Sequence, residues 1–299
     1  MNQHPLSARN LIHSLLIVAS IFLLSKLLPL SSLLSAFKTW NSKVSTSVLP
    51  TAQASTPTLR ATVWSDQFES SDWLNRWRVR RGGSWGLDNT EVMADPSGRF
   101  EKILRVRYPA GSASPTVARQ TGAPVGGAQF FGGLGLAPSN RLRLQYYVKF
   151  SKDFDFVKGG KLPGLFGGTV NDGRRIPDGT NGFSTRYMWR RNGAGEVYAY
   201  LPTSSENGTS LGRGNWRFKP GVWQRLEQEV TLNTPGKSDG RIQVWVDGNL
   251  VLSANNLTFR TTENLRIEGI LFSTFFGGGD PSWATPEDVY VDFADFAVN

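Results

Sequence analysis

The sequence predicts an all-β domain, a sandwich or jelly roll of two antiparallel sheets, preceded by an N-terminal hydrophobic helix. Three observations carry this expectation. Beyond residue 60, apolar and polar residues alternate at period two in one segment after another. Clusters drawn from 32 glycines and 16 prolines punctuate these segments at the spacing of strand connections. No long stretch of the same region carries a helical apolar stripe, and the chain is 12% aromatic.

In chain order, residues 1–40 come first. The run "LIHSLLIVASIFLLSKLLPLSSLLSAF" (11–37) follows Arg9 and is interrupted only by Lys26, which suits a signal sequence or a membrane anchor. Residues 41–62 include "SKVSTSVLPTAQASTPT", a Ser/Thr/Pro-rich linker of the kind that separates a tether from a domain. An extracytoplasmic protein, secreted or held by a signal-anchor, is therefore expected, with the membrane met only through this N-terminal segment. The domain itself is assigned to residues 63–299.

Within it, "ILRVRYPAG" (103–111), "RLRLQYYVKF" (141–150), "VWQRLEQEVTLN" (222–233), "LRIEGILFSTFF" (265–276) and "DVYVDFADFAV" (288–298) read as strands. "RIQVWVDGNLVLS" (241–253) reads as two strands joined at "DGN". "TVARQ" (116–120) is also read as a strand, and "VKGGKLPGLFGG" (157–168) as a glycine-rich loop between strands.

Composition removes several chemistries. The chain has no cysteine, which excludes disulfides, thiol nucleophiles and cysteine metal sites. Its only histidines, His4 and His13, precede the domain, so a histidine base, a Ser-His triad and a His-bearing metal site are excluded there. Residue Lys161 is followed by Leu162 and Pro163 rather than by Ser or Thr and a helix, so the glycine-rich stretch is not a phosphate-binding P-loop. Neither a nucleotide, a nucleic acid, a metal nor a cofactor is implied. The acids of "PEDVYVDFADF" (Glu287, Asp288, Asp292, Asp295) are irregularly spaced for a glycosidase pair and read as solvated charges of an edge strand.

Charge is concentrated. Residues 1–60 carry five basic residues and no acid, leaving 28 basic and 24 acidic residues for the remainder. Within 158–191 there are seven basic residues and two acids. Such a focused patch, with Lys158, Lys161, Arg186 and Arg190 in it, fits an anionic ligand.

The most informative constellation is "GFSTRYMWRRNGAGEVYAYLP" (182–202). Period two puts Ser184, Arg186 and Met188 on one face of the first arm, and Tyr198 and Tyr200 on one face of the second. A tight hairpin centred near Asn192 pairs Arg186 with Tyr198 and Ser184 with Tyr200, with Cβ atoms about 5 Å apart. This polar square suits β-elimination on a uronic acid. There a base takes the C5 proton beside a carboxylate, an acid protonates the departing O4, and cationic or hydrogen-bonding groups stabilise the enolate-like intermediate. Arginine matches the carboxylate. Tyrosine or lysine must move the protons, and their ordinary pKa values of about 10 are expected to be lowered by neighbouring cations. An ordinary strand pair with outward polar residues accounts for the spacing equally well.

The residues resemble polysaccharide lyase family 14, the alginate and glucuronan-type lyases with a β-jelly-roll fold. The likeness runs from about residue 65 to the C-terminus and rests on "LRVRYPAGSASP", "GGAQFF", "VKFSKDFDFVKGGKLPGLFGG", "FSTRYMWR", "VYAYLP" and "FSTFFGGGDPSWATPEDVYVDFADF". The resemblance implies an active cleft on a concave sheet. Lys161 matches the family's functional lysine, Ser184 and Arg186 its Ser/Arg pair, and Tyr198 and Tyr200 its paired tyrosines. It further implies that Arg119 and Gln129 line the cleft. Arg186 would neutralise the carboxylate, Ser184 would orient the substrate, and Tyr198 or Tyr200 would serve as acid with Lys161 or the other tyrosine as base. The expected protein is an exported monomeric lyase whose partner is an anionic polysaccharide. A non-catalytic polyuronate-binding module of the cell envelope is the alternative, and a tethered structural protein a third.

Overall fold

The computed structural model describes residues 61–170, 175–205 and 208–299. The expected N-terminal segment and all but the last two residues of the linker lie outside the described residues. Among the described residues, no helix is long and apolar enough to cross a membrane.

The strands are β1 (Trp64–Asp66), β2 (Thr90–Ala94), β3 (Lys102–Tyr108), β4 (Ala128–Gly132), β5 (Arg141–Phe150), β6 (Gly159–Gly168), β7 (Gly182–Arg190), β8 (Gly195–Tyr200), β9 (Thr209–Leu211), β10 (Gln224–Thr231), β11 (Gly240–Val246), β12 (Asn249–Leu257), β13 (Gly269–Phe276) and β14 (Val289–Val298). Two short helices interrupt them, α1 (Trp73–Arg76) and α2 (Pro115–Thr121). One sheet has the order β12-β11-β10-β5-β14-β3-β2, with β1 also pairing with β14. The other has the order β4-β13-β6-β7-β8-β9. All these pairings are antiparallel, and the result is the expected jelly-roll-like sandwich.

The core lies between the sheets. On β5, the Leu144, Tyr146, Val148 and Phe150 side of the alternation is buried. Tyr146 packs edge-on to Tyr187 of β7 at 6.2 Å, and Phe150 packs on Trp189 at 5.5 Å. Phe130 stacks on Phe272 at 4.6 Å. A buried polar tie, Thr185 Oγ1 to Gln228 Oε1 at 2.5 Å, also joins the sheets. Since Thr185, Tyr187 and Trp189 point inward, period two sends Ser184, Arg186, Met188 and Arg190 to the opposite face of β7. The turn after β11 places Asp247 and Gly248 at positive φ (51° and 84°), as a tight hairpin requires.

Three expectations are corrected. The stretch 157–168 is not a loop: residues 159–168 form β6, a central strand. Its proline is accommodated by a bulge, because the register with β7 skips Pro163 between Leu162 and Gly164. The Pro163 carbonyl accepts a hydrogen bond from the Tyr146 hydroxyl at 3.0 Å. Its glycines serve close packing: a Cβ at Gly160 would lie 2.0 Å from the Trp189 ring.

"TVARQ" belongs to α2 rather than to a strand. Ser114 caps the helix by accepting from Val117 N, Pro115 opens it, and Gly122 closes it in the left-handed region. Finally, β14 lies between β5 and β3 instead of at an edge. Asp292 is therefore fully buried, held by Arg105 through two hydrogen bonds of 2.7 and 3.0 Å, while Glu287 and Asp288 are exposed as expected.

Candidate active site

A cleft of about 750 Å³ lies on the core-distal face of the six-stranded sheet. Its floor crosses the strands from Gln129 on β4, through Phe275 on β13 and Lys161 on β6, to Arg186 and Met188 on β7 and the tyrosines of β8. Ser210 of β9, Arg190 and Arg213 lie at one end, while Trp85 stands beside β4 at the other. The N-terminus of α2 (Ser114, Pro115, Thr116) and the segment from Gly277 to Trp283 supply further walls.

The β7–β8 hairpin has the register that the sequence indicates. Arg186 pairs with Tyr198 and Ser184 with Tyr200, across a turn in which Asn192 takes a φ of 56°. The two phenol rings meet edge to face at 5.6 Å. Lys161 Nζ lies 3.9 Å from the centre of the Tyr198 ring and 2.7 Å from Met188 Sδ. The Arg186 guanidinium carbon lies 5.5 Å from the Tyr200 ring centre. One edge of that guanidinium is fixed by a relay: Nη1 donates to Ser273 Oγ (3.0 Å), which donates to Gln129 Oε1 (2.8 Å). Its Nε is buried and has no hydrogen-bond partner among the described residues. An unpartnered buried donor of this kind carries a desolvation cost.

Electrostatics differ from expectation at Tyr198. Burial, then the neighbouring Tyr200, push its pKa up to about 12 against the opposing pull of Arg190 and Arg186. The anticipated lowering by nearby cations does not prevail, because removal from water costs the phenolate more than those cations return. At neutral pH Tyr198 is thus a protonated phenol, able to donate a hydrogen bond.

Other expected site residues separate into two groups. Gln129 and Arg190 line the cleft; Ser184 is fully buried and does not. Lys158 stands outside the lining, with its ammonium bonded to Ser282 and 5.9 Å from the ring centre of Trp283, which does line the cleft. Arg119 is exposed on α2 and does not itself line the cleft, although it donates at 3.2 Å to Oγ1 of Thr116, which does.

Several lining residues had no sequence expectation: Trp85, the α2 cap, Phe275 and Trp283. Only the cap left a local signal, the Ser-Pro opening with a glycine closing the helix. Glu196 was also missed. It is fully buried and accepts from Arg190 Nε (2.7 Å), Arg213 Nε (2.6 Å) and Ser210 Oγ (2.6 Å). Burial works to raise its pKa, but these donors prevail and lower it, keeping the carboxylate charged.

The jelly-roll sheet thus gathers an arginine, a lysine and two phenols in one cleft, groups able to hold a carboxylate and to move protons. The family profile described as polysaccharide lyase 14 matches residues 97–296, and the chain belongs to that family; it is a polysaccharide lyase. Among solved structures it is similar to the marine PL-14 alginate lyase from Aplysia kurodai, with 34% identity and a TM-score of 0.69, covering 80% of this chain and 99% of that one. An alginate lyase from a Chlorella virus shares the fold at 22% identity and TM-score 0.66, over 80% and 99% of the two chains. The endo-β-1,4-glucuronan lyase from Trichoderma reesei does so at 12% identity and TM-score 0.50, over 80% and 95%. No match is found among curated proteins.

Proposed function

We propose that the protein cleaves a uronic-acid polysaccharide, alginate or glucuronan, by β-elimination in the cleft of the six-stranded sheet. The observation that carries this reading is the convergence of Lys161, Arg186, Tyr198 and Tyr200 on one floor. The similarity to the Aplysia kurodai alginate lyase favours alginate as the substrate.

In this mechanism the substrate carboxylate docks on Arg186, whose charge stabilises the negative charge as the C5 proton leaves. The base, Lys161 or Tyr200, takes that proton. The C5 electron pair forms the C4–C5 double bond as the C4–O4 bond breaks, and Tyr198 donates its proton to O4. Ser184, opposite Tyr200 in register, acts by positioning the hairpin rather than by touching sugar. We also propose an extracytoplasmic site of action, on the apolar segment and Ser/Thr/Pro linker that precede the domain.

The test is direct. Incubation with alginate, glucuronan and glycosaminoglycans should release products with the ultraviolet absorbance of an unsaturated uronate from at least one polymer. Lys161→Ala, Arg186→Ala, Tyr198→Phe and Tyr200→Phe should each lower kcat by about a hundredfold or more with the fold intact, the range for loss of a proton-transfer or charge-stabilising group. Unchanged turnover in all four would end this reading.

A further inference from the structure

We propose that Arg190 and Arg213, held by the buried carboxylate of Glu196, form a second carboxylate-binding position. It would take a uronate unit other than the one attacked, and it rests on the cleft being a polyuronate site. Glu196 poses the problem that leads there: a carboxylate beneath a cleft for a polyanion is repulsive unless its charge is consumed. It is consumed on both oxygens. Oε1 accepts from Arg190, whose Nε and Nη2 lie at 2.7 and 2.6 Å, and Oε2 accepts from Ser210 and Arg213. The three charged groups sum to one net positive charge.

A guanidinium carries five N–H donors in a fixed fork. Glu196 occupies one edge of Arg190 and the Nε of Arg213, and both residues line the cleft. The remaining donors are thereby aimed as a pair with little freedom left to lose on binding. Arg190 is shielded while Arg213 is half exposed, so the position opens outward from the floor.

The position is separate from that of Arg186. Arg190 is four residues further along β7, about 13 Å of strand. Arg186 stands against Tyr200, whereas Arg190 stands against Tyr198 with its guanidinium carbon 5.4 Å from the ring centre. The two guanidiniums thus face different rings of the floor. A chain bearing a carboxylate on every sugar can present one to each. Among the described residues, Trp85 and Phe275, in edge contact at 5.5 Å toward the β4 end, have no comparable cationic pair beside them in the cleft lining. The cleft is thus polar in the directional sense, with charge recognition concentrated at the β9 end.

The experiment measures binding of saturated oligouronates of two to five units by titration calorimetry, using the full chain with Lys161→Ala to prevent cleavage. Affinity should rise about tenfold or more at the length that reaches the second position, as for a charge-assisted hydrogen bond. Arg213→Ala should abolish that step while leaving the affinity for the shorter oligomers within about twofold, and Arg213→Lys should restore part of it. Glu196→Gln should reduce the step as well, by releasing Arg190. A step that survives Arg213→Ala, a uniform loss at every length, or no oligouronate binding at all would overturn the proposal. Lyase activity of the unmodified chain is scored separately, so a cleft that binds polyuronates without cleaving them would refute the proposed reaction and leave this position standing.

Discussion

At the scale of single residues, the protonation of Tyr198 decides its role. Burial holds its pKa at about 12, so at neutral pH it is protonated, which under the proposed mechanism suits it to donate to O4 and leaves the base to another group. The same shift has a thermodynamic consequence. The folded-state pKa lies above the unfolded value of about 10, so the folded state holds this proton more tightly. Its stabilising contribution is complete below about pH 10 and is lost as pH rises toward about 12. Burial likewise pushes Tyr108, Tyr146 and Tyr187 upward, so they add to the same alkaline loss. Thermal denaturation should therefore show a stability that begins to fall only above about pH 10. Tyrosinate absorbance followed in parallel should show the signal missing from Tyr198→Phe appearing above pH 10 in the unmodified protein. Ionisation of Tyr198 below that point would return it to candidacy as the base.

At the scale of elements, strand β6 is the scaffold on which the site's geometry depends. Its glycines bring β7 and β13 close enough for Lys161 to meet Met188 and Tyr198. A Cβ at Gly164 would lie 2.3 Å from the Thr185 carbonyl oxygen and 2.6 Å from Arg186 Cα, both backbone atoms that cannot rotate aside. Gly164→Ala should accordingly destabilise by about 1–3 kcal/mol, as overpacking does, and should depress turnover by displacing Arg186. Gly133→Ala, where the added carbon meets only ordinary contact at 3.6 Å, should be close to neutral in thermal melts and in activity. The contrast between β6 and the β7–β8 hairpin also explains what could be read in advance. Strict alternation and a tight turn dictate the Arg186–Tyr198 and Ser184–Tyr200 pairs, because strand register is a local property. In β6, glycine and proline answer to Trp189, Tyr146 and the bulge, which are tertiary partners, so locally the stretch looks like a loop. Trp283 reaches the cleft from a segment distant in sequence and left no pattern to read.

At the scale of the whole molecule, the two sheets divide their charges differently. The outer face of the eight-stranded sheet pairs its cations across strands, as in Arg141–Glu229, Arg143–Glu227 and Arg105–Asp292, and so neutralises itself. The opposite sheet leaves Lys161, Arg186, Arg190 and Arg213 around one cleft with Glu196 beneath them, so the anion-attracting field belongs to one side. Keeping that division requires the sandwich to be closed, and the start of the domain helps close it. Val63 N donates to Val298 O at 2.9 Å, and Trp64–Asp66 pair with Phe296–Val298 on β14. Phe68 is fully buried, and Asp66 accepts from Trp77 Nε1 at 2.7 Å and from Phe68 N at 2.9 Å. A chain beginning near residue 58 retains all of these contacts, whereas one beginning at residue 70 loses β1, the Phe68 ring and the partner of the Trp77 indole. The first should match the full chain in melting temperature and in turnover of polyuronate. The second should melt much lower or fail to fold, since losing a buried aromatic side chain alone costs about 3–5 kcal/mol. Loss of folding in the first chain would place part of residues 1–57 within the domain and would overturn the boundary at residue 63.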